Sequence, residues 1–434
     1  VNRSLSTFDV MGLGFMTLAF FLGAGNIIFP PLAGFLAGEN LNSAMFGFLL
    51  TAVGMPLVTL IAAALAGGGL PTMGRYLPAA VVTVMATAIF IIIGPAFAAP
   101  RTGLVAYEMG LKPFLNDPGQ TTLTLYTLGF FGLVLLLSLN QGRLLDAVGK
   151  VLTPILLLLL VALAVAVFVN PQGTQPQVAE AYLTQPFVKG FIEGYNTMDT
   201  FAALMFGMLI LDVLRQKGVT DTRAQSRYLM IAALIAAAGL GFVYVSLFIL
   251  GGTSLGVVES ASNGGEIISA YVLSLFGAPG LWALAAIVSL ACLTTAVGLV
   301  SSCADYFHRL TGKGSYRGWV VINALACTLV ANVGLNTLIS VSIPVLVACY
   351  PVAVALVMAT YLRPLMRSPV FAFRLIMAVA FAFGLIDGLQ AAGLNMSAFT
   401  LLPMFDIGMA WVLPTLAAAV MGLAAGKSRE QAVA

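Results

Sequence analysis

The chain has 434 residues, 60% of them hydrophobic and only 8% charged, with a formal net charge of +3. That composition excludes a water-soluble protein, and so small a positive balance carries no message about nucleic acid. The apolar runs are about 20 residues long, the length of a helical membrane crossing, not the ~10-residue alternation of an outer-membrane barrel.

The first run, 10–37, contains no charge. It is too long for a signal-peptide core and no small-residue cleavage site follows it, so it is expected to be retained. Further runs follow at about 43–65, 79–100, 121–139, 151–169, 186–214, 229–250, 280–305, 319–335, 339–362, 369–388 and 405–425. They predict an all-α polytopic membrane protein with twelve transmembrane helices. Asn332, Gly334 and Asn336 supply the turn that splits the uncharged stretch 318–362 in two. Between the seventh and eighth spans, 263–277 is too short to cross and predicts an amphipathic helix over the outer mouth.

With the N-terminus inside, all nineteen Lys and Arg residues fall on the inner side except Arg101, Lys112 and Lys189. That is a strong positive-inside bias, and it places both termini in the cytoplasm. Glu39, Glu108, Asp117, Glu180, Glu259 and Glu266 fall outside.

Two spans carry matching interruptions. The first breaks at Gly23-Ala24-Gly25-Asn26, with Pro30 and Pro31 beyond, and the sixth at Gly194-Tyr195-Asn196-Thr197-Met198-Asp199. Each is the first span of a block of five, and the two enter from opposite sides because five is odd. This predicts an inverted 5+5 repeat: helices 1–5 over 1–169, helices 6–10 over 186–362, and helices 11–12 with the tail over 369–434. Freed N–H and C=O groups are tolerated in hydrocarbon only where they line a polar cavity. The half-helix starting near Asn26 points its positive end at the gap, toward a carboxylate, while the carbonyls before Gly23 face a cation or an ammonium group. A zwitterion fits between such ends.

On the eighth span, Ala291, Thr294 and Thr295 share one helical face. Two hydroxyls and a carbonyl make a hard oxygen site for a small cation; alternatively each Thr bonds its own helix backbone. The interior acids are Glu193, Asp199 and Asp212, all on the sixth span. Asp212 is expected to meet the basic inner loop. Glu193 and Asp199 flank the break, as functional groups by default or, for Asp199, as a cap of the second half-helix. Cys292, Cys303, Cys327 and Cys349 all lie in apolar runs and read as packing residues.

Four stretches, "LGFMTLAFFLGAGNIIFPP", "GPAFAAPRTG", "GYNTMDTFAALMFG" and "ACLTTAVGL", resemble the branched-chain amino acid:cation symporters, the LIVCS family of BrnQ-type carriers, from about Leu5 to the twelfth span. The resemblance implies import of leucine, isoleucine and valine coupled to Na+ across the bacterial inner membrane. The broken-helix arrangement is also similar to the LeuT fold. That similarity implies a sodium site of the Ala19 and Leu22 carbonyls with Ala291, Thr294 and Thr295. The fold's second sodium site uses an Asn on helix seven, and 229–250 contains none, although Asn26 or Thr197 could contribute.

A branched aliphatic side chain needs a dry pocket, for which Phe20, Phe97, Met198, Phe201 and Val297 are the candidates beside the two breaks. Discrimination among such substrates should be weak, since one methylene is worth about 1–3 kcal/mol. Arg3 and Asp305 are candidates for an inner gate, with Glu193 and Asp199 as further gate or coupling groups. A channel would want a ring of charges or a repeated filter, and an intramembrane enzyme a nucleophile–base pair or metal set; neither pattern is present. His308, the only histidine, sits beside Arg309 at an inner helix end. The remaining alternatives are proton coupling through Asp199, or another small zwitterion or a nucleobase as substrate.

Overall fold

The computed structural model describes residues 5–116, 118–139 and 143–425, without the side chains of 143–154. Among the described residues there is helix, turn and coil and no strand. α1 (Thr7–Phe21) opens on a capping box: the Ser6 hydroxyl accepts the Asp9 N–H at 3.1 Å, and the Asp9 carboxylate accepts the Ser6 N–H at 3.3 Å. It stops where Leu22 leaves helical geometry and Gly23 is extended, and α2 (Ala24–Ala37) starts directly behind. Pro30 and Pro31 lie inside α2 without ending it, leaving the Asn26 and Ile27 carbonyls short of their helical donors.

α3 (Leu41–Leu49) runs through a π turn into α4 (Met55–Ala66), followed by the single-turn α5 (Leu70–Met73). Between α6 (Ala79–Ile91) and α7 (Ala98–Gly110) a second π turn kinks at Gly94, before Pro95. α8 (Gln120–Leu139) and α9 (Arg143–Val169) follow. α10 (Pro186–Glu193) passes through a 3-10 turn at Gly194–Thr197 into α11 (Asp199–Gln216), with a bend of 44°. Met198 makes that bend in the left-handed conformation, φ 61°, which side chains other than glycine rarely adopt. The chain ends in α12 (Thr222–Gly252), α13 (Gly264–Thr311), α14 (Tyr316–Ala331), α15 (Leu335–Leu362), α16 (Pro369–Ala391) and α17 (Val412–Ala424).

Each predicted span contains α-helix, the twelfth only from Val412 on, yet among the described residues only seven helices are long and apolar enough to cross a bilayer, or eight with α10–α11 taken as one span. α1, α14, α17 and 155–169 are shorter apolar helices. The helix predicted over 263–277 is the first part of α13, capped by Asn263 and set off by Gly277 at φ 64°. Its Ile267, Ile268, Tyr271 and Val272 are buried, and it packs on α2: a Cβ on Gly264 would stand 1.9 Å from the Ile28 carbonyl oxygen. Gly334, φ 85°, makes the expected turn before α15. All four cysteines are free, three of them buried.

Small residues bring the interrupted helices against their neighbours, as at helix contacts in lipid. A Cβ on Gly34 of α2 would lie 2.1 Å from the Phe248 carbonyl oxygen, and one on Gly251 of α12 would lie 1.9 Å from that of Pro31. The same reciprocal contact recurs between α3 and α10, where Gly47 meets the Phe187 carbonyl and Gly190 that of Ala44, both at 2.0 Å.

Candidate functional site

The two interruptions meet through Asn26. Its side-chain oxygen accepts the Gly23 N–H at 3.1 Å, and its amide nitrogen donates to both carboxylate oxygens of Asp199, at 3.0 and 2.8 Å. Tyr244 of α12 donates its hydroxyl to Asp199 at 2.6 Å and also touches the Asn26 amide. All three side chains are buried. The reading of Asp199 as a cap for α11 is not realised, since α11 has no side-chain cap bond and the Asp199 carboxylate faces Asn26 and Tyr244. Thr197 bonds its own Gly194 carbonyl at 2.9 Å and accepts the Asp199 N–H at 3.4 Å.

Arg101 corrects the sequence reading. It is not at the outer end of a span but 1% exposed in the first turn of α7. One Nη donates to the Asn196 carbonyl at 2.7 Å, the other to the Ser342 hydroxyl at 3.3 Å, and the guanidinium lies 4.8 Å from the centre of the Phe29 ring. A Cβ on Gly25 would sit 3.3 Å from Arg101 Nη1. Asp387 of α16 is a second interior charge that sequence reading passed over. Its carboxylate accepts the Ala410 and Trp411 N–H groups, both at 3.2 Å, and so holds the approach to α17.

The residues proposed for the cation lie on neighbouring elements. The Thr295 methyl is 3.7 Å from where a Cβ of Gly23 would be, so α13 abuts the first interruption. The Gly23 N–H, which in an unbroken helix would serve Ala19, goes to Phe21 O at 2.7 Å and to Asn26. The Thr294 hydroxyl donates to Ala291 O at 2.8 Å, the local backbone bond that sequence reading kept open, and its oxygen lone pairs point away from that bond. No three His, Cys, Asp or Glu side chains gather as a metal set among the described residues.

Of the pocket candidates, Phe97, Met198, Phe201 and Val297 are buried, as are Ala24, Gly25, Gly194, Tyr195, Asn196 and Thr197. Phe20 differs: it is 38% exposed, with its ring 5.2 Å from that of Phe206. Tyr350 of α15 stacks on Tyr195 at 4.0 Å and meets Phe201 at 4.6 Å, closing the second interruption from a helix that sequence reading had not linked to it. Glu193 is neutralised by Lys189 at 2.7 Å and accepts the Asn196 amide at 2.9 Å, which makes it a bracket for the 3-10 turn. Asp212 pairs with Arg215 on its own helix at 2.9 Å, not with the loop beyond it. Arg3 lies outside the described residues, and Asp305 pairs with Arg309 on its own helix at 2.9 Å. Among the described residues, the Lys217–Asp9 pair, at 2.9 Å, joins the start of α1 to the residue after α11.

The fold is shared with solved membrane transporters. It matches MHP1, a nucleobase-cation-symport-1 family transporter in a closed conformation with bromovinylhydantoin bound, with a TM-score of 0.58 at 14% identity over 96% of this chain and 91% of that one. It matches MhsT in complex with L-phenylalanine with a TM-score of 0.51 at 16% identity, over 98% of both chains. The described residues thus form an all-helical, multi-pass membrane protein of LeuT-like fold. A family model described as "Branched-chain amino acid transport protein" matches residues 6–429, and the chain belongs to that family. Similar proteins include the branched-chain amino acid transport system 2 carrier protein of Pseudomonas aeruginosa, 46% identical over 98% of this chain and 99% of the relative. The branched-chain amino acid permease BrnQ of Escherichia coli K12 is 40% identical over 98% and 97%. These relatives are carriers, and the chain is a transporter, not an enzyme.

Proposed function

We propose that the chain is a symporter that imports leucine, isoleucine and valine together with sodium, by alternating access, across the bacterial inner membrane. The names of relatives 46% and 40% identical to it support the substrate. The observation that carries the mechanism is the buried Asn26–Asp199–Tyr244 link, which ties the two interruptions at one point. Whatever binds there is felt by both interrupted helices, as coupled transport requires.

Twelve crossings and a 5+5 inverted repeat belong to this reading. They are supported by the reciprocal packing: the first span lies on the seventh (α2 on α12) and the sixth on the second (α10 on α3), and exchanging the repeats turns one pair into the other. Sodium would meet the carbonyls of Ala19, Leu22 and Ala291 with the hydroxyls of Thr294 and Thr295. The branched side chain would lie among Phe97, Met198, Phe201 and Val297. A second reading, proton coupling, is favoured by one observation: Asp199 is a buried carboxylate with a hydroxyl donor on it and no cation within ion-pair distance among the described residues.

Uptake of labelled leucine into proteoliposomes tests both. One co-transported charge at 100 mV supplies about 2.3 kcal/mol, a nearly fifty-fold gradient. Uptake driven by a sodium gradient at constant pH, and mutually competitive among the three amino acids, is the expected result. Uptake driven by a pH gradient without sodium, and abolished in Asp199→Asn, would establish the proton reading instead. Indifference to both gradients would overturn both.

A further inference from the structure

We propose that the Arg101 guanidinium is the docking group for the carboxylate of the transported amino acid. This rests on the amino-acid reading above. Arg101 is fully enclosed, yet no carboxylate lies within ion-pair distance of it among the described residues, and its Nε–H has no hydrogen-bond partner. Its two bonds go to neutral acceptors, the Asn196 carbonyl and the Ser342 hydroxyl. A guanidinium carries five N–H donors and remains charged in a protein interior, so part of its hydrogen-bonding capacity is unused and its charge meets only the Phe29 ring and neutral acceptors, with no carboxylate against it. The acids that could answer it are engaged elsewhere: Glu193 by Lys189, Asp199 by Asn26 and Tyr244, Asp387 by the Ala410 and Trp411 N–H groups.

The position is as informative as the charge. Arg101 touches the second interruption at Asn196 and faces the first at Gly25, where the absent side chain leaves room for it. On the next residue, Asn26, the chain turns its amide to Asp199. The interior therefore holds a cation and an anion, each without an ion-pair partner among the described residues, that face adjacent residues of the first interruption, Gly25 and Asn26. A zwitterion neutralises both, and the planar fork of Arg101 matches a carboxylate in two parallel bonds. The free N–H groups at the start of α2 then assist a charge that Arg101 anchors, rather than holding it alone.

Competition binding with two ligands isolates this contact: leucine, and leucinol, which keeps the amine and side chain but lacks the carboxylate. Losing one partner of a buried charge pair should cost leucine about 30-fold or more in affinity in Arg101→Gln. Leucinol should change less than about threefold, so the preference of the wild type for leucine collapses. Arg101→Lys, which keeps the charge without the fork, should fall between. An equal loss for both ligands, or an unchanged ratio, would overturn the proposal and leave Arg101 a tether between α7, the second interruption and α15. Wild type that binds neither ligand would instead sink the amino-acid reading itself, which separates the two failures.

Discussion

At the scale of single residues, Thr294 and Thr295 carry the sharpest expectation. Thr→Val keeps the shape and removes the oxygen, so a sodium ion would lose a ligand where water does not replace it cheaply. Ion and substrate affinities change reciprocally because their coupling free energy is shared. Thr294→Val is therefore expected to weaken sodium binding and, at fixed sodium, leucine binding, with leucine affinity restored at higher sodium; Thr294→Ser should be mild. Leucine binding titrated against sodium reads this out. Unchanged sodium dependence in both Val variants would reduce Thr294 to what its hydrogen bond to Ala291 already shows, a hydroxyl satisfied by its own helix.

At the scale of elements, the Lys217–Asp9 pair joins the start of α1 to the end of α11, one half of each interrupted helix. Hydrogen bonds from Lys217 and then Ser6 hold the Asp9 carboxyl down at about 2. A carboxyl depressed on folding contributes stability above its unfolded value of about 3.9, and the contribution is lost as pH falls toward the folded value. The difference in melting temperature between wild type and Asp9→Asn should therefore be constant from about pH 5 to 8 and shrink below about pH 4. A difference that changed between pH 6 and 8 would mean another group controls this contact. Elements also show what could be read without coordinates. Both interruptions stood out because glycine, asparagine and proline are out of place in an apolar helix, and they lie at 22–23 and 194–198. Arg101 was misplaced because a charge had been used to end a span, while the apolar sequence runs on through Tyr107 and α7 with it. Tyr244 and Tyr350 left no signal, since a tyrosine in an apolar run looks like packing until its hydroxyl or ring finds a partner on a distant helix.

At the scale of the whole molecule, the charge distribution sharpens the proposed orientation. Of the three cations first assigned outside, Arg101 is interior, Lys112 is paired with Glu108 and Glu266, and Lys189 is paired with Glu193. With Arg101 taken out of the outer count, two cations rather than three oppose the sixteen assigned inside, so the bias is stronger than the first count. Fusion of a reporter active only in the cytoplasm to the C-terminus should give full signal, and fusion within 171–185 none; the reverse pattern would turn the molecule over.

The glycine contacts also set where this protein tolerates change. In a library carrying every substitution, Gly34, Gly47, Gly190 and Gly251 should be almost empty of survivors, because even alanine would drive a methyl into a backbone carbonyl about 2 Å away. Gly129 and Gly132 of α8 and Gly241 of α12 are helical too, but a methyl added there meets nothing within 4 Å. Alanine at those three sites should raise stability by about 0.4–1 kcal/mol each by restricting the unfolded chain. A thermostabilised carrier for crystallisation would thus be sought in α8 and α12, leaving untouched the glycines, Gly264 among them, against which the interrupted helices bear.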